Sequence, residues 1–155
     1  MYMGRSKGFT LVELVVTLVL IGVLAASVGP RFLDVQVFQD RGFFDETVSA
    51  VRYAQKLAVA TGCSVQVQIT STGYTLSRVS VANFSTCNTG PYDTAVDDPS
   101  GNAATFTRTA PSGVTLSPAT NITFAPDGSA SATVTVTVGS RSFQAISATG
   151  FVQRL

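Results

Sequence analysis

The chain has no histidine, and its two cysteines, Cys63 and Cys87, stand far apart. A zinc site needs three or four Cys, His or carboxylate ligands, a count this pair cannot meet, so no metal is expected and no other cofactor is called for. Asp93, Asp97 and Asp98 could offer oxygens to calcium, but they lack the alternating acidic pattern and terminal Glu of an EF-hand loop. They read as a solvated loop. Serine and threonine are abundant, yet no histidine exists to activate one as a nucleophile, and neither a GxSxG nor a phosphate-cradling glycine motif is present. Catalysis is not expected, and no catalytic residue can be named.

One carboxylate stands out by its surroundings. Glu13 lies at the head of the run Leu14 to Gly29, which carries no charged side chain. A carboxylate there is costly unless it has a partner. Phe9 to Gly29 as helix, at about 1.5 Å per residue, measures about 31 Å, the thickness of a bilayer's hydrocarbon core. A cleaved secretory signal would also place Arg5 and Lys7 before an apolar stretch, with Ala25-Ala26-Ser27 as a cleavage neighbourhood, but it has no use for Glu13. A retained span is the stronger reading. Arg5 and Lys7 then hold the N-terminus in the cytoplasm and leave the rest of the chain outside the inner membrane. Both cysteines fall in that exported part, where a Cys63–Cys87 disulfide is favoured over a pair of free thiols.

The elements that position these residues follow from composition. The chain has 155 residues, a net charge of +1 and only 12% charged residues, against roughly 25% in ordinary domains. Charge of this size identifies no nucleic-acid partner. Pro30 marks the change from apolar to charged sequence and can bend the helix. Beyond it, Phe44, Val48, Val51, Ala54 or Gln55, Leu57 and Ala58 recur every three or four residues, an apolar stripe that a sheet should cover. Gly42 weakens this helix and Thr61-Gly62 should stop it, so helix is expected from about Phe9 to Thr61. Phe32, Phe38, Phe43 and Phe44 have a simple packing interpretation, in the core or in subunit contacts.

From Thr61 onward hydroxyl residues replace ions and strand patterns take over. Val65, Val67 and Ile69 alternate, a break follows at Ser71-Thr72-Gly73, and Tyr74 and Leu76 alternate after it. Thr133 to Val138, Gly139-Ser140 and Arg141 to Ile146 form a hairpin pattern with a type II′ turn at Gly139. Short strands are expected around Thr105 to Thr107, Val114 to Leu116 and Asn121 to Phe124, with a turn at Pro126-Asp127-Gly128. Asn88 to Asn102 reads as a long irregular loop. Arg78, Arg108, Arg141 and Arg154 would make an anion-binding face only if folding gathered them.

The segment Gly8-Phe9-Thr10-Leu11-Val12-Glu13, with its basic leader, apolar run and Pro30, resembles the processing motif of type IV prepilins and of type II secretion pseudopilins. The resemblance implies that a prepilin peptidase cuts between Gly8 and Phe9, that Phe9 becomes the N-methylated terminus, and that Glu13 pairs with the Phe9 amine of a neighbouring subunit. Asp40 to Phe44, Ser49 to Ala58, Cys63 to Val67 and Phe124 to Gly128 are similar to GspH/FimT-type minor pseudopilins, especially the minor pilin of mannose-sensitive haemagglutinin pilus systems.

What this implies is an α+β fold, a pilin-like long N-terminal helix packed on an antiparallel β-domain of two sheets. The expected layout is a leader at 1–8, a transmembrane and filament-core helix at 9–29, an amphipathic helix at 30–61 and a β-domain at 62–155 with a loop at about 88–102. The implied role is a minor subunit that aids initiation or tip assembly of a pilus or pseudopilus. Its partners would be prepilin peptidase, other major and minor pilins or pseudopilins, and inner-membrane assembly machinery. Two other roles stand beside it. A DNA-binding minor pilin is disfavoured because the tail, Gly150 to Leu155, holds Arg154 as its one basic residue. A membrane-anchored adhesion domain would use the 88–102 loop.

Overall fold

A computed structural model of the chain describes residues 8–28, 35–80, 87–101 and 105–155. Pro30 and its expected bend, Phe32, and the leader residues Arg5 and Lys7 lie outside them, as does the continuity of helix through 29–34. Two compact units result, Met1–Val35 and Gln36–Leu155.

The first unit holds helix α1, Leu11–Val28. Thr10 starts it: its carbonyl accepts the Leu14 amide at 3.2 Å and its hydroxyl accepts the Glu13 amide at 3.3 Å, as an N-cap residue does. Because Thr10 caps, helix begins two residues later than the Phe9 start expected from sequence. Its 18 residues span about 27 Å. Among the described residues no helix is long and apolar enough to cross a membrane. The large apolar side chains from Leu11 to Leu24 are all exposed, on every side of the helix.

The second unit is built on helix α2, Val35–Thr61. It runs through Gly42 without interruption and ends at Gly62, whose φ of 67° reverses the chain, while the Thr61 hydroxyl donates to the Leu57 carbonyl at 2.7 Å. Phe44, Val48, Val51, Ala54 and Ala58 are buried as the stripe requires, joined by Phe43 and Ala50. Phe38 is not: its side chain is 76% exposed, so its packing role inside the subunit is overturned. It lies on the outward face of α2, since Gln36 and Asp40 on either side of it reach Ser112 and Ser140 of the β-domain, at 2.8 and 3.4 Å.

Strands β1 (Val65–Thr70), β2 (Gly73–Arg78), β3 (Thr94–Ala95), β4 (Thr107–Thr109) and β6 (Thr120–Phe124) form one antiparallel sheet; β5 (Leu116–Ser117), β7 (Val134–Val138), β8 (Arg141–Ala145) and β9 (Val152–Arg154) form the other. The core lies between α2 and these sheets, with Val65, Val67, Ile69, Tyr74, Leu76, Ile122, Phe124, Val136, Val138 and Phe143 buried. Period-two alternation puts these residues on one face of each strand. The β7–β8 turn has Gly139 at φ 57° and no positive φ at Ser140, the signature of type II′ rather than type I′.

Several strand limits move, each for a local reason. Gly73 belongs to β2, paired with Thr70 and Thr109, so the first hairpin turns on Ser71-Thr72 alone. Thr133 stays out of β7 because its hydroxyl accepts the Ser147 amide at 3.0 Å. The strand expected near Val114 starts at Leu116, after Gly113 (φ 85°) and a Val114 amide to Pro111 carbonyl bond have closed a turn. The region expected to be a loop from Asn88 contains β3, and the tail forms β9, which the sequence pattern did not reveal. Three residues are too few for a periodicity to register.

Strands β3 and β4 are two halves of one edge strand. Thr94 and Ala95 pair with Arg78 and Ser77, while Thr107 to Thr109 pair with Thr75 to Gly73. Leu76 fills the join, its amide donating to the Phe106 carbonyl at 3.0 Å and its carbonyl accepting from Val96 at 3.2 Å. The Phe106 amide donates to the Val96 carbonyl at 2.7 Å and closes the neck of everything inserted between them. Thr105 lies in that insertion, which is why β4 begins two residues after the expected Thr105.

Candidate functional site

The N-terminal segment is simple in geometry. Gly8, Phe9 and Thr10 precede the helix, Phe9 is 72% exposed, and no atom of the other described residues lies within 4 Å of where a side chain on Gly8 would begin. The Gly8–Phe9 peptide bond is therefore open non-helical backbone, the form a peptidase can seat. Glu13 lies in the first turn of α1, where a carboxylate complements the positive end of the helix dipole. It is exposed.

The Cys63–Cys87 disulfide is present, joining the end of α2 to the segment before β3 across 24 positions. Around it the Ser64 amide donates to the Cys87 carbonyl at 3.3 Å and to Asn88 Oδ1 at 3.0 Å. Among the described residues no group of three or more His, Cys, Asp or Glu could hold a metal ion.

Of the three acidic residues read as a solvated loop, Asp93 and Asp97 are exposed as expected, and only Asp98 departs from that reading. The Asp98 side chain is 1% exposed and pairs with Arg108 Nη2 at 2.7 Å, while Arg108 Nε reaches Glu46 on α2 at 2.6 Å. The Ser100 amide and hydroxyl also donate to Asp98, at 2.9 and 2.7 Å. The Ser100 amide, then Arg108, hold the Asp98 carboxyl down at about 2. This triad ties the insertion to α2. Burial and then Glu46 push the phenol of Tyr74 up, and its hydroxyl has no hydrogen-bond partner among the described residues.

The arginines are partly gathered. Arg141 and Arg154 both approach the Phe44 ring, at 6.0 and 5.8 Å from its centroid, and Arg154 also pairs with Asp45 at 3.1 Å. Arg108 stands over Phe106 at 5.3 Å instead. Folding thus spends Arg108 and Arg154 on internal partners and does not assemble all four into one anion-binding face. The triad escaped sequence reading because Glu46 and Arg108 are 62 positions apart.

A helix carrying a buried apolar stripe against two antiparallel sheets, after a separate, largely apolar helix with Glu13 in its first turn and a Gly-Phe junction before it, defines a pilin-like protein. The chain belongs to the type II transport protein GspH family, whose profile matches residues 45–150. The prokaryotic N-terminal methylation motif matches residues 3–29. A curated relative, the type IV narrow pilus major component PilA5 of Thermus thermophilus, is 44% identical over 54 residues, or 35% of this chain and 47% of that protein. The match thus spans about half the relative's length. The crystal structure of the type IV minor pilin FimU of Pseudomonas aeruginosa is similar in fold, with a TM-score of 0.55 at 13% identity, over 77% of this chain and 90% of that one.

Proposed function

We propose that this protein is a minor pilin or pseudopilin, a non-enzymatic subunit that enters a type IV pilus or type II secretion pseudopilus and aids its initiation or tip. The observation that carries the reading is the juxtaposition of the open Gly8–Phe9 junction with Glu13 at the head of an apolar helix. Prepilin peptidase removes residues 1–8 and Phe9 becomes the methylated terminus. In the filament the Phe9 amine of one subunit pairs with Glu13 of the next, because each charge is far cheaper to hold in a poorly solvated helix bundle with the other beside it.

Before assembly, residues 9–29 anchor the chain in the inner membrane with the N-terminus cytoplasmic and residues 62–155 periplasmic. Arg5 and Lys7 on the leader support that orientation. Residues 30–61 act as the amphipathic stem, bent at Pro30. The disulfide supports an oxidising location for the β-domain.

Deleting the gene and counting assembled filaments, together with secreted proteins, tests the role. Loss or marked reduction is expected; unchanged filament number, composition and secretion would refute it. Mass spectrometry of the mature protein should find N-methyl Phe9 at the terminus.

A further inference from the structure

The neck at Val96 and Phe106 does more than interrupt an edge strand. It holds the insertion against α2, and between them lies an open cleft of about 590 Å³. Its α2 wall carries Ser49, Arg52, Tyr53 and Lys56, and its far wall Asp98 to Ser100, Phe106 and Arg108. The Tyr53 and Phe106 rings meet tilted by 58° with centroids 5.7 Å apart, giving an angled aromatic wall.

The charges in this cleft are unequal in their commitments. Glu46 and Asp98 are both spent on Arg108. Arg52 donates one Nη2 bond, to the Val152 carbonyl at 2.8 Å, and neither Arg52 nor Lys56 has a carboxylate partner among the described residues. They lie four residues apart and so on one face of α2. Beyond Tyr53, a recess of about 100 Å³ adds Arg78 and Asp97, and Arg78 Nε is buried with no hydrogen-bond partner among the described residues. Asp97 also has no ion-pair partner among the described residues, so Arg52, Lys56 and Arg78 outnumber it and the unspent charge beside the aromatic wall is positive in sum. Volume within the 300–1,000 Å³ usual for ligand sites is present, but the cleft is too open to enclose a small molecule as such sites do. It suits side chains presented on a larger partner.

We propose that this cleft docks an acidic segment of a partner protein: Lys56 and Arg52 take a carboxylate, and the Tyr53–Phe106 wall takes the aromatic or aliphatic side chain next to it. The assembly reading above supplies only the expectation that protein neighbours exist; the site itself rests on the cleft and its unspent cations.

The test uses the full processed chain in a non-ionic detergent and a fluorescein-labelled peptide carrying two glutamates around one phenylalanine. Saturable binding that weakens with salt is expected, with at least a tenfold loss for the glutamine version of the peptide. Lys56 is exposed, so Lys56→Glu should keep the fold, read by circular dichroism, and weaken binding at least tenfold, while Lys56→Arg stays within about twofold of wild type. Absence of saturable binding, or equal binding by Lys56→Glu, would overturn the proposal. So would polygalacturonate binding more tightly than the peptide, which would make the cleft a site for acidic polysaccharide. Normal filament incorporation of Lys56→Glu together with lost peptide binding would separate this site from Glu13 pairing and support it.

Discussion

Gln55 and Gly150 approach so closely that a methyl group on Gly150 would meet Gln55 Nε2 at 2.6 Å. That amide donates to the Gly128 carbonyl at 3.0 Å and to the Thr149 carbonyl at 2.9 Å. One side chain of α2 thus holds the turn after β6 and the turn before β9, one from each sheet, which makes it a joint of the β-domain.

Gly150→Ala should therefore be costly. Its φ of +61° is expensive for any residue with a Cβ, by about 1–2 kcal/mol, and the new methyl would also overlap the Gly128 carbonyl oxygen. A loss of about 3 kcal/mol is expected, seen as a lower midpoint in chemical unfolding. An unchanged midpoint would contradict the packing described.

Reduction of Cys63–Cys87, or the double Cys→Ser variant, should cost about 3 kcal/mol, the loop-closure value for a separation of 24. The readout is the denaturation midpoint with and without reductant. The double variant should show the lower midpoint under both conditions, with no response to reductant, because it has no bond to break.

Asp98 predicts an acid limit to stability. Its carboxyl is held at about 2, below the ordinary 3.8, by the Ser100 amide first and Arg108 next. A depressed folded-state value means the stabilisation is complete above about pH 4 and is lost as pH falls through about 2. Asp98→Asn should flatten the pH dependence of unfolding in that window and lower stability at pH 7. An acid limb identical to wild type would rule Asp98 out as its source.

Glu13→Ala should leave processing at Gly8–Phe9 intact and reduce incorporation into filaments by tenfold or more, measured by immunoblotting sheared filaments. Normal incorporation would refute the pairing of Glu13 with a neighbour's amine. Gly8→Leu should act earlier, leaving the leader attached in the membrane fraction.

Local patterns were legible because they depend on near neighbours. The stripe from Phe44 to Ala58, the alternation from Val65 to Ile69 and Gly139 in its turn are set by helix and strand periods and by backbone sterics, and the structure places them as read. Of the core or subunit contacts read for Phe38, the core is excluded because the residue lies on the outward face of α2, which an apolar side chain at a helical position does not reveal by itself. Strands β3 and β9 were invisible because two or three residues hold no period; their hydrogen bonds come from β2 and β8, far away in sequence.

By itself the sequence determined the N-terminal motif on which the proposed processing rests: Gly8, Phe9 and Glu13 lie within six positions, and their meaning depends on order and on the apolar run behind them. Absence of histidine likewise excluded a histidine base or a histidine-ligated metal without any fold. Only the tertiary structure decided which charges remain unspent. Arg108 is consumed by Glu46 and Asp98, and Arg154 by Asp45, whereas Arg52 and Lys56 stay open beside Tyr53. Ion pairing falls off over a few ångströms of space, and the sheet is what brings residues 62 positions apart within that range.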